Sequence, residues 1–259
     1  MSVYSNTANK NKIHNSKILL LINNKSNVNL LSKFLGNEYI THKEYNESIK
    51  YDMILIDTYN YKTNFKLIKQ IKEKQNPLFL PVILMHKRED PVDYSSKMSN
   101  IADEHFLTPV KKDVLKTRIQ RMLKTRELTK ENYKMTNKYK KIFDNINDMV
   151  FLHRVDLEKR IFYSFLEINQ KVLDKTGYSQ PELLKMKPID LVPHKNNSPL
   201  FNYYFNMLIK KNEVIVETEL IKKTKEIINV EINSKIIELE NKKMVISVLR
   251  DLNYRSNKT

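Results

Sequence analysis

The sequence contains no cysteine, no tryptophan and only two glycines among its 259 residues. Without cysteine, the chain forms no disulfide bond, thiolate metal site, cysteine nucleophile or cysteinyl flavin adduct. With two glycines, a glycine-rich loop that holds phosphate groups is almost excluded. No apolar run approaches the roughly 20 residues that cross a bilayer, so we expect no membrane insertion. The missing cysteines agree with a reducing compartment, and we expect a cytoplasmic protein.

Arginine is scarce relative to lysine, although the formal net charge is +16. Lysine supplies 38 of the 46 basic residues, whereas phosphate and base recognition favours the bidentate arginine fork. The lysines are also dispersed over both halves of the chain rather than clustered in one motif. The charge therefore does not favour a nucleic-acid partner, and a lysine-rich, nucleic-acid-associated regulator stands only as an alternative function.

The length of the chain predicts two domains of about 100 to 150 residues each. Residues 1–15 are rich in asparagine, lysine and serine and lack the apolar centre of a signal peptide, so we expect a disordered tail. We expect an α/β domain over residues 16–126, a helical linker over 127–141 and an α+β domain over 142–259.

Short apolar runs alternate with amphipathic stretches in the first domain. Strands are predicted at 17–22, 39–41, 53–56, 79–85 and 106–107, and helices at 26–34, at 65–74 and after a capping Asp113. This alternation predicts a doubly wound, five-stranded parallel sheet of the flavodoxin-like kind, whose functional crevice lies at the carboxyl ends of the strands. The stretch between Asn23 and Asp57 is too short for a full second helix.

The strand ends of this domain resemble a known family. The segments Tyr51–Asp57, Pro81–Met85 and Ala102–Pro109 are similar to the receiver domains of bacterial and archaeal response regulators. The resemblance implies that Asp57 occupies the phosphoacceptor position. It also implies a magnesium-binding acidic pair, a hydroxyl residue and a lysine around that aspartate.

Every one of those surrounding positions departs from the family pattern. The acidic pair is replaced by Ile22 and Asn23, the hydroxyl residue by His86 and the lysine by Thr108. Phosphoryl transfer to a carboxylate needs positive charge beside the phosphate, and one carboxylate among neutral groups holds Mg²⁺ poorly. We therefore predict a degenerate receiver that docks a partner such as a histidine kinase. A phosphorylatable regulator that uses Asp57 is the alternative.

An uninterrupted helix is predicted from Asp113 through the linker toward Asn145. Apolar residues recur along it at heptad spacing, namely Leu128, Met135, Tyr139, Ile142 and Ile146. Such a stripe either pairs two helices in a homodimer or packs on the second domain of its own chain. The sequence leaves both interpretations open.

The pattern changes beyond Lys140. Strands are predicted at 149–154, 160–169, 214–221, 227–239 and 243–249, with short helical pieces after the second strand and a longer helix at 199–210. Two strands, several helices and three strands predict an antiparallel sheet with helices on one face.

This half resembles the PAS family in five successive blocks. They are Ile142–Ile146, Met149–His153, Glu167–Asn169, Thr176–Leu184 and Val248–Leu252. Gly177 falls at the turn glycine of the family, where we expect a positive φ. The resemblance implies a pocket between sheet and helices that senses a small molecule, or a role in dimerisation.

Five residues are candidates for that pocket: Phe151, His153, Phe165, Tyr204 and Phe205. Aromatic clusters of this kind more often form part of a hydrophobic core than a cofactor-binding site. Haem would need an axial residue, for which His153 and His194 are the nearest candidates. A histidine beside an apolar run is more often a structural residue, so the sequence disfavours haem and identifies no cofactor.

No histidine-kinase phosphoacceptor helix, helix-turn-helix or cyclase motif is recognisable, and only eight residues follow Asp251. We therefore expect no enzymatic activity and no effector domain. The sequence favours a homodimeric, non-catalytic signal-transduction adaptor or sensor of the two-component type.

Overall fold

The computed structural model describes residues 13, 15–90, 101–194, 196 and 198–253. The predicted disordered tail lies outside these residues, apart from residues 13 and 15. The chain divides into two compact units, Met1–Thr136 and Asn137–Thr259. Among the described residues, none of the helices combines the length and the apolar composition of a membrane span.

The first unit alternates strands and helices as the sequence predicts. Its elements are β1 (Lys17–Leu21), α1 (Lys25–Leu35), β2 (Ile40–His42), β3 (Met53–Asp57), α2 (Thr58–Thr63), α3 (Phe65–Gln75), β4 (Val82–His86), β5 (Glu104–Leu107) and the first part of α4 (Lys112–Asp144). The strands form a parallel sheet in the order β2-β1-β3-β4-β5. The predicted doubly wound, flavodoxin-like sheet is therefore confirmed.

Each central strand of this sheet is apolar on both faces because helices cover both. In β1, Ile18 and Leu20 pack with α1 and α4, whereas Leu19 faces the opposite cluster. That second cluster includes Tyr61 of α2 and Ile68 of α3. Continuous apolar runs are the expected sequence of strands buried on two sides.

Two local predictions for this unit differ from the structure. Helix α2 begins directly after β3, although its sequence TYNYKT has no apolar periodicity. Asp113 lies inside the first turn of α4 and does not cap it, because the helix already begins at Lys112. As expected from the short spacing, no helix lies between β2 and β3.

A buried arginine fastens α4 to the sheet of the first unit. The Arg126 side chain is 2% exposed. Its Nε donates to Asp52 Oδ1 at 2.9 Å, and its terminal nitrogens donate to the carbonyl oxygens of Phe79 and Tyr51 at 2.7 and 2.8 Å. Lys130 Nζ donates to the same Asp52 oxygen at 2.7 Å. Burial raises the pKa of Asp52, but these hydrogen bonds, with one from the backbone N–H of Lys17, hold it below its ordinary value.

The second unit contains the rest of α4 and nine further elements. They are β6 (Met149–Asp156), β7 (Ile161–Ile168), α5 (Gln170–Thr176), α6 (Gln180–Leu183), a 3₁₀ helix (Pro188–Leu191), α7 (Pro199–Lys211), β8 (Glu213–Ile221), β9 (Ile227–Leu239) and β10 (Lys242–Asp251). The strands form an antiparallel sheet in the order β7-β6-β10-β9-β8. This is the PAS-type sheet with helices on one face that the sequence predicts.

Alternation along the strands builds the core of this unit. Val214, Val216 and Leu220 of β8 are buried, whereas Ile215, Glu217 and Glu219 point outward. They pack with Phe201 and Phe205 of α7. Gly177 ends α5 with a φ of 76°, which only a residue without a Cβ adopts freely, so the expected positive φ is confirmed.

Asn169 closes the end of the unit where α4 stops. This asparagine is fully buried and caps α5. Its Oδ1 accepts from the backbone N–H of Val150 at 2.9 Å, and its Nδ2 donates to the carbonyl oxygens of Asp148 at 3.0 Å and Phe143 at 3.3 Å. One amide side chain therefore joins α4, β6 and α5 within this unit.

Candidate functional site

The crevice of the first unit lies at the carboxyl ends of β1 and β3, where the direction of the strand order reverses. Asp57 ends β3 there, as predicted. Its Oδ2 accepts from the backbone N–H of Asn23 at 2.6 Å. Its Oδ1 accepts from the backbone N–H of Asn60 at 2.8 Å and from Asn60 Nδ2 at 3.0 Å, so that Asp57 is the N-cap of α2. The two carboxylate oxygens thus join the end of β3 to the residue after β1 and to the first turn of α2.

The other predicted positions, Ile22, Thr108 and His86, each make contacts of their own. Ile22 packs at the margin of the apolar core. Thr108 donates from both its backbone N–H and its Oγ1 to the carbonyl oxygen of His86, at 2.8 and 3.2 Å. Nδ1 of His86 lies 3.1 Å from the carbonyl oxygen of Lys87. The two hydrogen bonds of Thr108 join the end of β4 to the residue that follows β5.

Asp57 has no ion-pair partner in the described part of the chain, although Lys87 acts on Asp90 at the same sheet edge. No lysine or arginine forms an ion pair with Asp57 there. No group of three or more histidine, aspartate or glutamate side chains could hold a metal ion within the same residues. The arrangement therefore offers little to balance the charge of an incoming phosphoryl group.

Asp90 is a second carboxylate at the same sheet edge, and sequence reasoning missed it. Its Oδ2 accepts from Thr58 Oγ1 at 2.9 Å and from the backbone N–H of Lys87 at 2.8 Å. The N–H of Lys87 and the hydroxyl of Thr58 lower the pKa of this carboxyl. Asp90 follows β4 by four residues and belongs to no apolar pattern, so only its position after a strand could have pointed to it.

A cavity of about 70 Å³ lies inside the second unit, between the sheet and the helices. Of the five predicted pocket residues, Phe151, His153 and Tyr204 line it. Phe165 and Phe205 pack behind this wall instead. The ring of Phe165 lies 4.8 Å from that of Phe151, and the ring of Phe205 lies 4.7 Å from that of Phe162, which lines the cavity.

His153 is the most unusual residue on the cavity wall. Its side chain is fully buried on β6. Nδ1 lies 3.1 Å from the carbonyl oxygen of Arg154, which can only accept, so Nδ1 carries the proton. Nε2 is buried and has no hydrogen-bond partner among the described residues. Burial lowers the pKa of this imidazole to about 4, so it is neutral at physiological pH and presents an unshared lone pair.

The other polar side chains on the wall differ in whether they are satisfied. Tyr204 is hydrogen-bonded to Ser234 and Ser247, whose hydroxyl oxygens lie 2.8 Å apart. Burial raises the pKa of Tyr204 to about 12. Thr218 Oγ1, in contrast, is buried and unpartnered within the described ranges. An unmet polar group such as Thr218 Oγ1 or His153 Nε2 costs about 1–3 kcal/mol when it is buried.

Sequence reasoning missed the hydroxyl residues of this wall. Thr218 of β8 and Ser247 of β10 line the cavity, and Ser234 of β9 contacts Ser247; all three are at inward positions between apolar ones. A small hydroxyl residue at an inward position of an alternating strand is the signal that could have identified them.

The two histidines considered for haem both line the cavity. One water molecule occupies roughly 10–15 Å³ of cavity volume. A cavity of about 70 Å³ therefore has room for a molecule of about five to seven non-hydrogen atoms. A haem or a flavin is several times larger. The residues of the cavity as folded do not fit either group.

The apolar stripe of α4 is largely exposed. Leu128, Met135 and Ile142 are 46%, 67% and 59% exposed. Tyr139 is 52% exposed as well, although its ring stacks on Phe143 at 5.6 Å.

No protein family model matches the chain. The methyl sulfide methyltransferase-associated sensor of Methanosarcina acetivorans is 30% identical over 119 residues, which are 46% of this chain and 11% of that protein. The chain therefore spans only a small part of the curated relative that it matches.

Three solved structures are similar to about half of the chain. The PAS domain of an HTR-like protein from Haloarcula marismortui is 16% identical, with a TM-score of 0.42 over 49% of this chain and 98% of that chain. A PAS domain from a two-component sensor histidine kinase is 18% identical, with a TM-score of 0.39 over 46% and 98%. The Rhodobacter sphaeroides LOV protein is 16% identical, with a TM-score of 0.40 over 48% and 70%. The fold assignment rests on the observed strand order.

Proposed function

We propose that the chain is a non-catalytic signal-transduction protein of the two-component type. In this proposal, the second unit senses a small molecule in its inner cavity or supports dimerisation. The first unit is a degenerate receiver that docks a partner such as a histidine kinase. A sensor is also named among the relatives, although that protein is far longer than the part matched here.

The observation that carries the proposal is the engagement of Asp57. Its two carboxylate oxygens accept three hydrogen bonds that fix the start of α2 and the end of β1. A phosphorylated aspartate could not keep all three, and no cation of the described residues pairs with it. Docking of a partner on the surface of the first unit therefore explains why the receiver-like fold is kept better than phosphoryl transfer to Asp57 does.

Intact mass spectrometry after incubation with acetyl phosphate and Mg²⁺ tests this proposal. We expect no added phosphoryl group on the wild-type chain, while an ordinary receiver domain treated in parallel gains one. The matched control is Asp57→Asn, which keeps an acceptor oxygen and removes the nucleophile. A phosphoryl group gained by the wild type and absent from Asp57→Asn would overturn the degenerate-receiver assignment in favour of a phosphorylatable regulator.

A further inference from the structure

The cavity of the second unit contains a directional polar group as well as apolar walls. Its lining includes the rings of Phe151, Phe162 and Phe201 and the aliphatic side chains of β8 and β9. The lining contains no aspartate, glutamate, lysine or arginine. A charged ligand would lose its hydration here without gaining a counter-ion, so the cavity favours an uncharged molecule.

His153 determines which polar group such a molecule needs. The carbonyl oxygen of Arg154 fixes the proton on Nδ1, so Nε2 can only accept a hydrogen bond. The described residues offer Nε2 no donor. The rings around it belong to Phe151, Phe162 and Phe165, with centroids 5.3 to 6.4 Å away, and they cannot provide one.

The hydroxyl groups at this end of the unit do not set the ligand chemistry. Tyr204, Ser234 and Ser247 satisfy one another. Thr218 lies on β8, three strands from His153 on β6, which is about 14 Å along the sheet at the usual strand spacing. The hydroxyl of Thr218 also rotates to donate or accept, so it does not select between ligands.

We propose that this cavity binds a small, uncharged, mainly apolar molecule whose hydroxyl or N–H group donates a hydrogen bond to His153 Nε2. This inference rests on the proposed sensing role of the second unit and specifies the chemistry of its ligand. A metal ion is not the expected occupant, because the described residues contain no group of three histidine, aspartate or glutamate side chains that could hold one.

Calorimetric titration of the full chain with phenol and with toluene tests the proposal. The two probes have the same number of non-hydrogen atoms, which suits the cavity, but only phenol is a donor. We expect wild-type protein to bind phenol about tenfold more tightly than toluene, in spite of the greater apolarity of toluene. His153→Phe should lose that preference by weakening phenol about tenfold, with toluene affinity changed by less than about threefold.

A second readout does not depend on the folding of a variant. In wild-type protein labelled with ¹⁵N-histidine, phenol should shift the Nε2 resonance of His153, and toluene should shift it far less. Equal affinity for the two probes, or an unmoved Nε2 resonance with phenol bound, would overturn the role of His153 and leave sensing intact. Binding of neither probe at millimolar concentration would overturn the cavity as a ligand site and remove small-molecule sensing from the proposed function. The mass test on Asp57 is independent of both results.

Discussion

Burial of His153 links the stability of the second unit to pH. The folded imidazole has a pKa of about 4, whereas an unfolded histidine titrates near 6.5. The unfolded chain therefore binds the proton first as the pH falls. The stability present above pH 6.5 is lost through the window from about 6.5 down to about 4, and it changes no further below that window.

We expect the free energy of unfolding of the second unit to fall by roughly 2 kcal/mol between about pH 7.5 and pH 5 through His153. Urea unfolding followed at several pH values measures this loss. His153→Phe should remove this part of the pH dependence, because the neighbouring rings are phenylalanines that do not titrate. An identical pH profile in wild type and variant would contradict the buried, neutral state.

At the scale of single elements, α4 depends on one cluster of charges. Arg126 donates to Asp52 and to two carbonyl oxygens while it is almost fully buried. Removing one member of a buried pair leaves the other without compensation, which is far more costly than losing an exposed ion pair. Lys130 still contacts Asp52 in such a variant and limits the loss.

Arg126→Met should destabilise the first unit by about 3 kcal/mol, the low end for breaking a buried ion pair, since it leaves two carbonyl oxygens without a donor while Lys130 still contacts Asp52. Chemical denaturation of the full chain measures the change. Arg121→Met is the matched control, because Arg121 is exposed on the same helix, and we expect it to change stability by less than about 0.5 kcal/mol. Equal effects of the two substitutions would show that the buried cluster contributes nothing specific.

At the scale of the whole molecule, the exposed stripe of α4 predicts self-association. Leu128, Met135 and Ile142 recur every seven residues and keep about half or more of their surface in the single chain. Apolar side chains at this spacing are buried when two helices pair. A homodimer through α4 therefore accounts for them.

The double substitution Met135→Glu with Ile142→Glu should convert the predicted dimer to a monomer, because like charges then face each other between the two α4 helices. Light scattering after size-exclusion chromatography measures the mass of the particle in solution. The control Lys134→Gln with Lys141→Gln makes the same change in net charge at positions about 100° round the helix, and we expect it to leave the dimer intact. A monomeric wild type at micromolar concentration would contradict the predicted pairing of two α4 helices.

Much of the architecture could be predicted because it follows from local pattern. The apolar runs of β1, β3 and β4 and the alternation in β8 each identify a strand and its buried faces without knowledge of the partner strands. Gly177 could be assigned a positive φ because it falls at the turn glycine of the PAS resemblance, where a residue without a Cβ is favoured. Asp57 could be located because a polar residue that follows a buried strand must lie at the end of the sheet.

The remaining features depend on residues that are far apart in the sequence. Helix α2 forms without apolar periodicity because Asp57 caps it and Tyr61 is buried against the sheet. Arg126 finds partners 47 to 75 residues away, and no local pattern encodes such a pairing.

The sequence by itself determined the order of strands and helices, the two-unit organisation and the substitutions around Asp57, because composition and periodicity are local properties of the chain. Only the tertiary structure decided that the Asp57 carboxylate is fully engaged and that His153 presents an unpaired acceptor to a small cavity. Whether a polar atom is satisfied depends on every element packed around it, and that is fixed only when the fold is complete.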